Sequence, residues 1–346
     1  MITTSNTIFG GPDKTRNILR DTLLAHINDV PANGQIYWMS YYFNEPILFD
    51  ALIAASKRGV EIRIIIDGNP RCADINNICI TMFKAHSDIK ISVVTSKPIW
   101  EYIGIKWHAH MHSKLYYFSH PRPHALVGSY NPTTDTQAID AQLIKKIGDH
   151  TISHNVLVNI DNNKILTAIL KYFRRIDSKH YRRWPRFCSS DNRIFRDSTW
   201  SVNFLPRLVT HPVNLLLKQN DNNAKILCAI SHLKGPNIIK PLIKASERGK
   251  QIELILDSTQ RRVPKKLLDQ LELHNIKYKQ LNSDQHCLMH NKFIIYKSNE
   301  THCVLFGSFN WSIRSWWLNH EIIVTTQDRN IISSFENRWQ EMLALK

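Results

Sequence analysis

The pattern of apolar and polar positions in the first half of the chain recurs in the second half. Residues 46–67 align without gaps on residues 236–257. In both copies apolar residues at helical spacing run from a proline to a glycine, and a short β-rich run then ends in aspartate. Another apolar run precedes each helix, at 35–40 and 224–230. The pattern predicts strand, helix, strand twice, which indicates an α/β fold with largely parallel central strands.

A second pair of matched elements follows each of these units. A HxK motif opens an aromatic-aliphatic run, and a GSxN motif ends the next run. The motifs are His112 to Lys114 and Gly128 to Asn131 in the first half, and His290 to Lys292 and Gly307 to Asn310 in the second. Two ordered copies at nearly equal spacing predict a duplicated unit. We predict halves at 1–178 and 206–346, joined by a basic linker at 179–205.

Composition restricts the partners and the compartment. Forty-five Lys and Arg residues against 29 Asp and Glu residues give a formal net charge of +16, which attracts polyanions such as nucleic acid or an anionic membrane. Six scattered cysteines without a CxxC pair are expected to be reduced. No secretory signal and no apolar run of about 18 residues are apparent in the sequence. A cytoplasmic location is therefore predicted, with peripheral membrane contact as an open alternative.

The paired HxK and GSxN motifs resemble those of the phospholipase D superfamily, and the similarity covers nearly the whole chain. The resemblance implies two pseudo-symmetric α-β-α sandwich halves with the active site at their interface. It also implies cleavage or exchange of phosphodiester bonds without a metal ion, and no cofactor is expected. Fused halves supply what single-half members obtain by dimerising, so a monomer is predicted. The aspartate that usually follows the lysine by five residues is replaced by Ser119 and Lys297.

The residue types in these motifs suit phosphodiester chemistry. One imidazole can attack phosphorus and form a phosphohistidine, while another protonates the leaving oxygen and later deprotonates the acceptor. Cationic and amide groups can neutralise the phosphate oxygens, and on a strand HxK would place its imidazole and ammonium side by side. The predicted catalytic residues are His112, His290, Lys114, Lys292 and Glu321, and the predicted phosphate-binding residues are Asn131, Asn310, Ser129 and Ser308.

The two histidines are not expected to be equivalent. Members of the family commonly carry a carboxylate beyond GSxN that orients a histidine of the opposite half. Glu321 occupies that position in the second half, and Asn155 occupies it in the first. A carboxylate that fixes the tautomer of His112 would make it the better nucleophile, whereas His290 opposite Asn155 would serve as acid and base.

Three further features admit more than one interpretation. His108, His110 and His112 would share a face of a regular strand, which could indicate a zinc site. No acidic ligand accompanies them, so we predict no metal and expect these histidines to line the phosphate pocket. Trp311 beside the second GSxN is either core or a wall of the site. The aromatic segment 100–107 could contact a membrane interface.

These features leave three candidate functions. The pattern from Asn310 to Glu321 resembles the end of cardiolipin-synthase-type motifs, which favours a phospholipase D or phosphatidyltransferase acting on phospholipid head groups. The predicted partner is then an anionic phospholipid or membrane surface, with no obligate protein partner. The basic charge also suits a metal-independent endonuclease with nucleic acid as partner. The third candidate is a non-catalytic module that binds lipid or nucleic acid.

Overall fold

A computed structural model describes residues 6–95, 109–134, 152–177, 194–207, 211–281 and 288–345. The first half contains strands β1 (Thr7–Gly10), β2 (Gln35–Ser40), β3 (Glu61–Asp67), β4 (Ile89–Val94), β5 (Leu115–Phe118), β6 (His124–Gly128) and β7 (Asn155–Ile160). Its helices are α1 (Ile18–Asp29), α2 (Pro46–Lys57), α3 (Ala73–Lys84) and α4 (Asn163–Asp177). The strands form one sheet in the order β1-β7-β6-β5-β2-β3-β4.

The second half repeats this arrangement. Its strands are β8 (Phe195–Arg196), β9 (Trp200–Leu205), β10 (Lys225–Ile230), β11 (Leu233–Lys234), β12 (Gln251–Asp257), β13 (Lys277–Leu281), β14 (Lys292–Lys297), β15 (His302–Gly307), β16 (Trp311–Ser312) and β17 (Glu321–Thr326). The helices are α5 (Pro212–Leu217), α6 (Pro236–Glu247), α7 (Lys265–Leu273), α8 (Ile313–Trp317) and α9 (Arg329–Ala344). The large sheet has the order β13-β12-β10-β14-β15-β17-β9-β8, and β11 pairs separately with β16.

The predicted strand–helix–strand units are present in both halves. β2 pairs in parallel with β3, and β10 pairs in parallel with β12. The helix between each pair ends just before Gly59 or Gly249, whose φ angles of 90° and 87° lie in the left-handed region that favours glycine. These glycines end the helices and let the chain return along the sheet.

The prediction of largely parallel central strands is only half right. In each sheet three strands run parallel, and the strands on the other side are antiparallel. The reason lies in the connections, because β5–β6 and β14–β15 are joined by loops too short for a parallel crossover. The interval 179–205 also differs from a linker, since β8 and β9 within it form an edge of the second sheet; residues 178–193 lie outside the described residues.

The two sheets share one apolar core, with helices α4 and α9 between them. On α4, Phe173 stacks on Tyr37 of the first sheet at 5.1 Å, and Tyr172 stacks on Phe204 of the second at 4.1 Å. Phe335 of α9 likewise contacts aromatic rings of both sheets. The outer face of each sheet is covered by the other helices of its half. Each half is thus an α-β-α sandwich, as predicted. Among the described helices none is long and apolar enough to cross a membrane.

Candidate active site

Each HxK motif lies where a loop enters a central strand. His112 precedes β5 and His290 precedes β14. The predicted side-by-side arrangement on a strand is therefore wrong, because the histidines stand outside the strands. Instead, the Nζ of Lys114 donates to the backbone carbonyl of His112 at 2.7 Å, and the Nζ of Lys292 donates to that of His290 at 2.6 Å. Both lysines are buried, and each holds the loop that carries its histidine.

The loops that carry His112 and His290 are bonded across the two halves. The backbone N–H of His112 donates to the carbonyl of His320 at 2.9 Å, and the N–H of His290 donates to the carbonyl of His154 at 3.0 Å. Isolated parallel bridges accompany both bonds. Each histidine is therefore held by the segment that enters the last large strand of the opposite half. This exchange brings both HxK motifs to the interface.

Two buried aspartates support the same loops from behind. The carboxylate of Asp67 accepts the N–H of Met111 at 2.6 Å, and that of Asp257 accepts the N–H of Met289 at 3.1 Å. Both aspartates end the gapless repeat in the sequence, but we assigned them no function from the sequence. Their matched position was the signal that could have identified them as groups that position the loops.

The glycine of each GSxN motif is required by a close backbone approach. A Cβ atom on Gly128 would lie 1.9 Å from the carbonyl oxygen of Val156, and one on Gly307 would lie 2.1 Å from that of Ile322. Only glycine permits this contact between β6 and β7 or between β15 and β17. The close contact brings the serine that follows the glycine next to the first residue of the last strand.

The serines of GSxN do not line the pocket, which corrects their predicted role as phosphate ligands. The hydroxyl of Ser129 donates to Oδ1 of Asn155 at 2.9 Å, and the hydroxyl of Ser308 donates to Oε2 of Glu321 at 2.5 Å. Each hydroxyl also accepts, at 3.1 Å, a backbone N–H of the strand that begins with Asn155 or Glu321. Both serines are fully buried, and they orient the groups behind the histidines.

The predicted pairing of histidines with the opposite half is present. Oε2 of Glu321 accepts from Nδ1 of His112 at 2.9 Å, and Oδ1 of Asn155 accepts from Nδ1 of His290 at 2.9 Å. Glu321 also accepts from Ser315 at 2.8 Å. Burial alone would raise the pKa of Glu321, but its partners, His112 first among them, hold the pKa below the usual range. Glu321 is therefore an anion, whereas Asn155 is neutral.

Both HxK histidines have a lowered pKa, which favours the neutral ring in the free protein. Burial lowers the pKa of His112 to about 4, although the charge of Glu321 opposes this effect. Burial also lowers the pKa of His290 well below its usual value, and Lys292 adds to the shift. Because Nδ1 of each ring donates its hydrogen to an acceptor, Nε2 keeps a lone pair. Each ring therefore has one unprotonated nitrogen, Nε2.

One cavity of about 700 Å³ contains both histidines. Asn131 and Asn310 line it as predicted, whereas Lys114 and Lys292 lie behind it. The described residues that line it are Tyr41, Tyr42, Asn69, Pro70, Arg71, His110, His112, Asn131, His232, Lys234, Gly235, Arg261, Arg262, His290, Asn310, Ser312, Ile313, Arg314, Ser315 and Asn319. A single substrate can therefore reach both rings.

The remaining sequence predictions have mixed outcomes. His110 lines the cavity, with its ring nitrogens 3.4 Å from Arg314 and 3.5 Å from Asp67. Trp311 is buried in the core of the second half and does not line the cavity, so it is not a wall of the site. His108 and the aromatic segment 100–107 lie outside the described residues. Within the described ranges no three ligand side chains converge as a metal site would require.

Five cationic side chains that line the cavity within the described part of the chain had no role in our sequence predictions. They are Arg71, Lys234, Arg261, Arg262 and Arg314. Only the overall positive charge hinted at them, because they come from four separate segments that the fold brings together. Arg262 is buried and donates to the carboxylate of Asp257 at 3.2 Å and to the carbonyl of Met289 at 3.1 Å. It therefore supports the His290 loop as well as adding positive charge.

A family model described as the phospholipase D-like domain of cardiolipin synthase matches residues 24–176 and 217–343. These two segments cover more than half of the chain and include all four motifs. The comparison with curated protein sequences returned no relative.

Solved structures of several enzymes have a similar fold. Phosphatidylserine synthase from Haemophilus influenzae Rd KW20 aligns with a TM-score of 0.66 at 12% identity, over 98% of this chain and 86% of that one. Polyphosphate kinase from Porphyromonas gingivalis aligns at 0.63 and 18% identity, over 97% of this chain but only 50% of the kinase. A mutant of yeast tyrosyl-DNA phosphodiesterase aligns at 0.50 and 13% identity, over 94% and 88%. At these identities the likeness is one of fold.

Proposed function

The chain belongs to the family defined by the phospholipase D-like domain of cardiolipin synthase, and from this we propose its function. We propose that it cleaves or exchanges the head-group phosphodiester of phospholipids through a phosphohistidine on His112. One observation carries the proposal: two imidazoles from opposite halves meet in one cavity, and only His112 has a carboxylate behind it. Two equivalent histidines would leave the nucleophile undefined, whereas this asymmetry distinguishes an attacking ring from a proton-transferring ring.

In the first step the Nε2 lone pair of His112 attacks phosphorus, a P–N bond forms, and the bond to the leaving oxygen breaks. The ring gains positive charge, which the anion of Glu321 stabilises. His290 gives a proton to the leaving oxygen. In the second step an oxygen of water or an alcohol attacks phosphorus, His290 takes up its proton, and the P–N bond breaks. The acceptor alone decides between hydrolysis and transfer.

The lowered pKa of His112 suits its role in this scheme directly, whereas that of His290 requires a change on binding. A neutral His112 is ready to attack at neutral pH. His290 must first gain a proton, and the negative charge of a bound phosphodiester favours that protonated form. The cationic lysines and the amide groups of Asn131 and Asn310 would stabilise the phosphate oxygens. We therefore expect productive binding to take up a proton.

The choice of a phospholipid rests on two supports. The matching family model is that of a cardiolipin synthase domain. In addition, Ser315 and Asn319, from the segment that resembles the cardiolipin-synthase-type motif, donate to Glu321 at 2.8 and 3.3 Å. We expect the protein to be cytoplasmic and to act as a monomer at the surface of an anionic membrane. The second candidate is an endonuclease, which the net charge of +16 and the exposed arginines around the cavity favour.

The test uses labelled phosphatidylcholine, phosphatidylglycerol and single-stranded DNA, each incubated with the protein in the presence of EDTA. Release or exchange of a lipid head group supports the first candidate, and nicked DNA supports the second. Binding without turnover would support the non-catalytic alternative. Phosphoenzyme from the active substrate is then trapped and mapped by peptide analysis. Label on His290 instead of His112 would contradict the assignment of the nucleophile.

A further inference from the structure

The cavity carries more positive charge than one phosphodiester can balance. Among the described residues, its lining contains five Arg or Lys side chains and no carboxylate. A diester bears a single negative charge, and Lys114 and Lys292 already contribute to the field at the histidines. The lining cations are therefore additional to those that the scissile phosphate requires. Like charges held together repel one another, so an uncompensated group of this size indicates a polyanionic ligand.

Four of the five cations have no carboxylate partner among the described residues. Arg262 is bonded to Asp257, but no ion pair with Arg71, Lys234, Arg261 or Arg314 occurs in the described part of the chain. The three arginines of this group are exposed, and the lysine is half-buried. Their charges remain available to a ligand in the cavity.

The positions of these cations are set by the fold. Lys234 lies on β11 opposite Ser312 of β16, and Arg314 follows two residues later at the start of α8. From the other half, the N–H of Arg71 donates to the hydroxyl of Tyr41 at 2.8 Å. Both halves therefore contribute to one cationic cluster at the edge of the cavity.

Burial lowers the pKa of Lys234, and the mutual repulsion in this cluster lowers it further. The repelling charges are those of Arg71, Arg262 and Arg314. These four groups are thus close enough to sense one another. A dianionic group placed among them would relieve the repulsion, and a phosphate monoester carries close to two negative charges at neutral pH.

We propose that Arg71, Lys234 and Arg314 form a second anion subsite, which binds a phosphate monoester on the head group next to the scissile phosphodiester. The inference rests on the proposed function and specifies its substrate class, a phospholipid with a phosphorylated head group. A cavity of about 700 Å³ has the size of a small-molecule pocket, which suits a head group better than a polymer. The scissile phosphate then lies between His112 and His290, and the monoester lies at the cationic edge.

The experiment compares two short-chain lipids that differ by one phosphate. Dihexanoyl phosphatidylglycerol and its terminally phosphorylated head-group analogue are used below their micellar concentrations, so that surface charge plays no part. We expect kcat/KM to be 10- to 100-fold higher for the phosphorylated lipid. In Lys234→Gln the preference should fall below about threefold. Lys244→Gln removes one exposed charge from α6, away from the cavity, and should keep the wild-type preference.

Each outcome of this comparison is decisive. Equal kcat/KM values for the two lipids in the wild-type protein would overturn the second subsite while leaving the proposed function intact. Turnover of neither lipid, together with no hydrolysis of bis(p-nitrophenyl) phosphate, would refute the proposed function itself. Loss of the preference in Lys244→Gln as well would show that net charge, and not a subsite, produces it. If Lys234→Gln unfolds, Arg314→Gln provides the same comparison.

Discussion

Glu321→Gln tests whether the buried carboxylate makes His112 the nucleophile. The substitution keeps the shape of the side chain and an oxygen that can accept from Nδ1 of His112. In the wild-type protein this nitrogen lies 2.9 Å from Oε2 of Glu321. It removes the negative charge behind a ring that becomes positive during attack. A pair of unit charges about 4 Å apart interacts by about 4 kcal/mol at an effective dielectric constant of about 20. A neutral hydrogen bond retains about 1 kcal/mol of this.

The expected loss is therefore about 3 kcal/mol of transition-state stabilisation, or on the order of 10²-fold in the rate of phosphoenzyme formation. A second effect has the same sign, because the charge of Glu321 raises the pKa of His112 and its removal makes the ring a weaker base. The assay is single-turnover quenched flow with labelled substrate, which isolates formation of the P–N bond. Circular dichroism and thermal unfolding establish that the variant is folded.

Asn155→Asp is the matched control, because it places a carboxylate behind the other ring. Its anion should raise the pKa of His290, which lies well below its usual value in the wild-type protein. Because His290 is the proton donor in phosphoenzyme formation, the alkaline limb of the pH–rate profile for that step should move to higher pH. We expect less than a tenfold change in phosphoenzyme formation on His112. The reasoning would be refuted if Glu321→Gln formed phosphoenzyme within threefold of the wild-type rate. It would also be refuted if Asn155→Asp had the larger effect.

Three predictions concern the framework of the site. Gly307→Ala should lower the free energy of unfolding by about 3 kcal/mol in urea titrations, because its Cβ would lie 2.1 Å from the carbonyl oxygen of Ile322. Asp13→Asn should cost about 2 kcal/mol in the same assay, since it breaks a two-bond ion pair with the fully buried Arg338. Burial lowers the pKa of His154 from 6.5 to about 4, so the unfolded chain takes up a proton at a higher pH than the folded protein does. The free energy of unfolding should therefore decrease as the pH is lowered from 6.5 to 4. His154→Gln should flatten that fall.

Much of the fold could be predicted because each half repeats the same local pattern. The strand at 35–40 and the helix from Pro46 have the predicted bounds, and the left-handed φ of Gly59 explains why the helix ends there. The antiparallel side of each sheet was missed, because strand direction depends on loop length and not on the apolar pattern. The interval that contains β8 and β9 was predicted to be a linker because its sequence is largely polar, basic and irregular. What defines these strands is pairing, of β9 with β17 and of β8 with β9.

The site could be predicted where it depends on residue type and not where it depends on packing. Pairing of Glu321 with His112 followed from a motif position in the sequence. The serines of GSxN were misassigned because a hydroxyl beside a phosphate-binding asparagine has the right chemistry, whereas Ser308 is fully buried and bonded to Glu321. Trp311 was left open, and its burial decided in favour of core packing. The cationic cluster was missed because its members become neighbours only through the tertiary fold.

Duplication alone would produce a symmetric site, and the proposed chemistry requires an asymmetric one. The difference between Glu321 and Asn155 meets this requirement only because the segments before the last large strands cross to the opposite half, where His320 and His154 bond to the backbone of His112 and His290. A change in one half is therefore expressed on the histidine of the other. Within either half alone, the carboxylate would be assigned to its own HxK motif and the nucleophile would be placed on the wrong ring. In the proposed mechanism, the inter-half bonds therefore determine which histidine Glu321 activates.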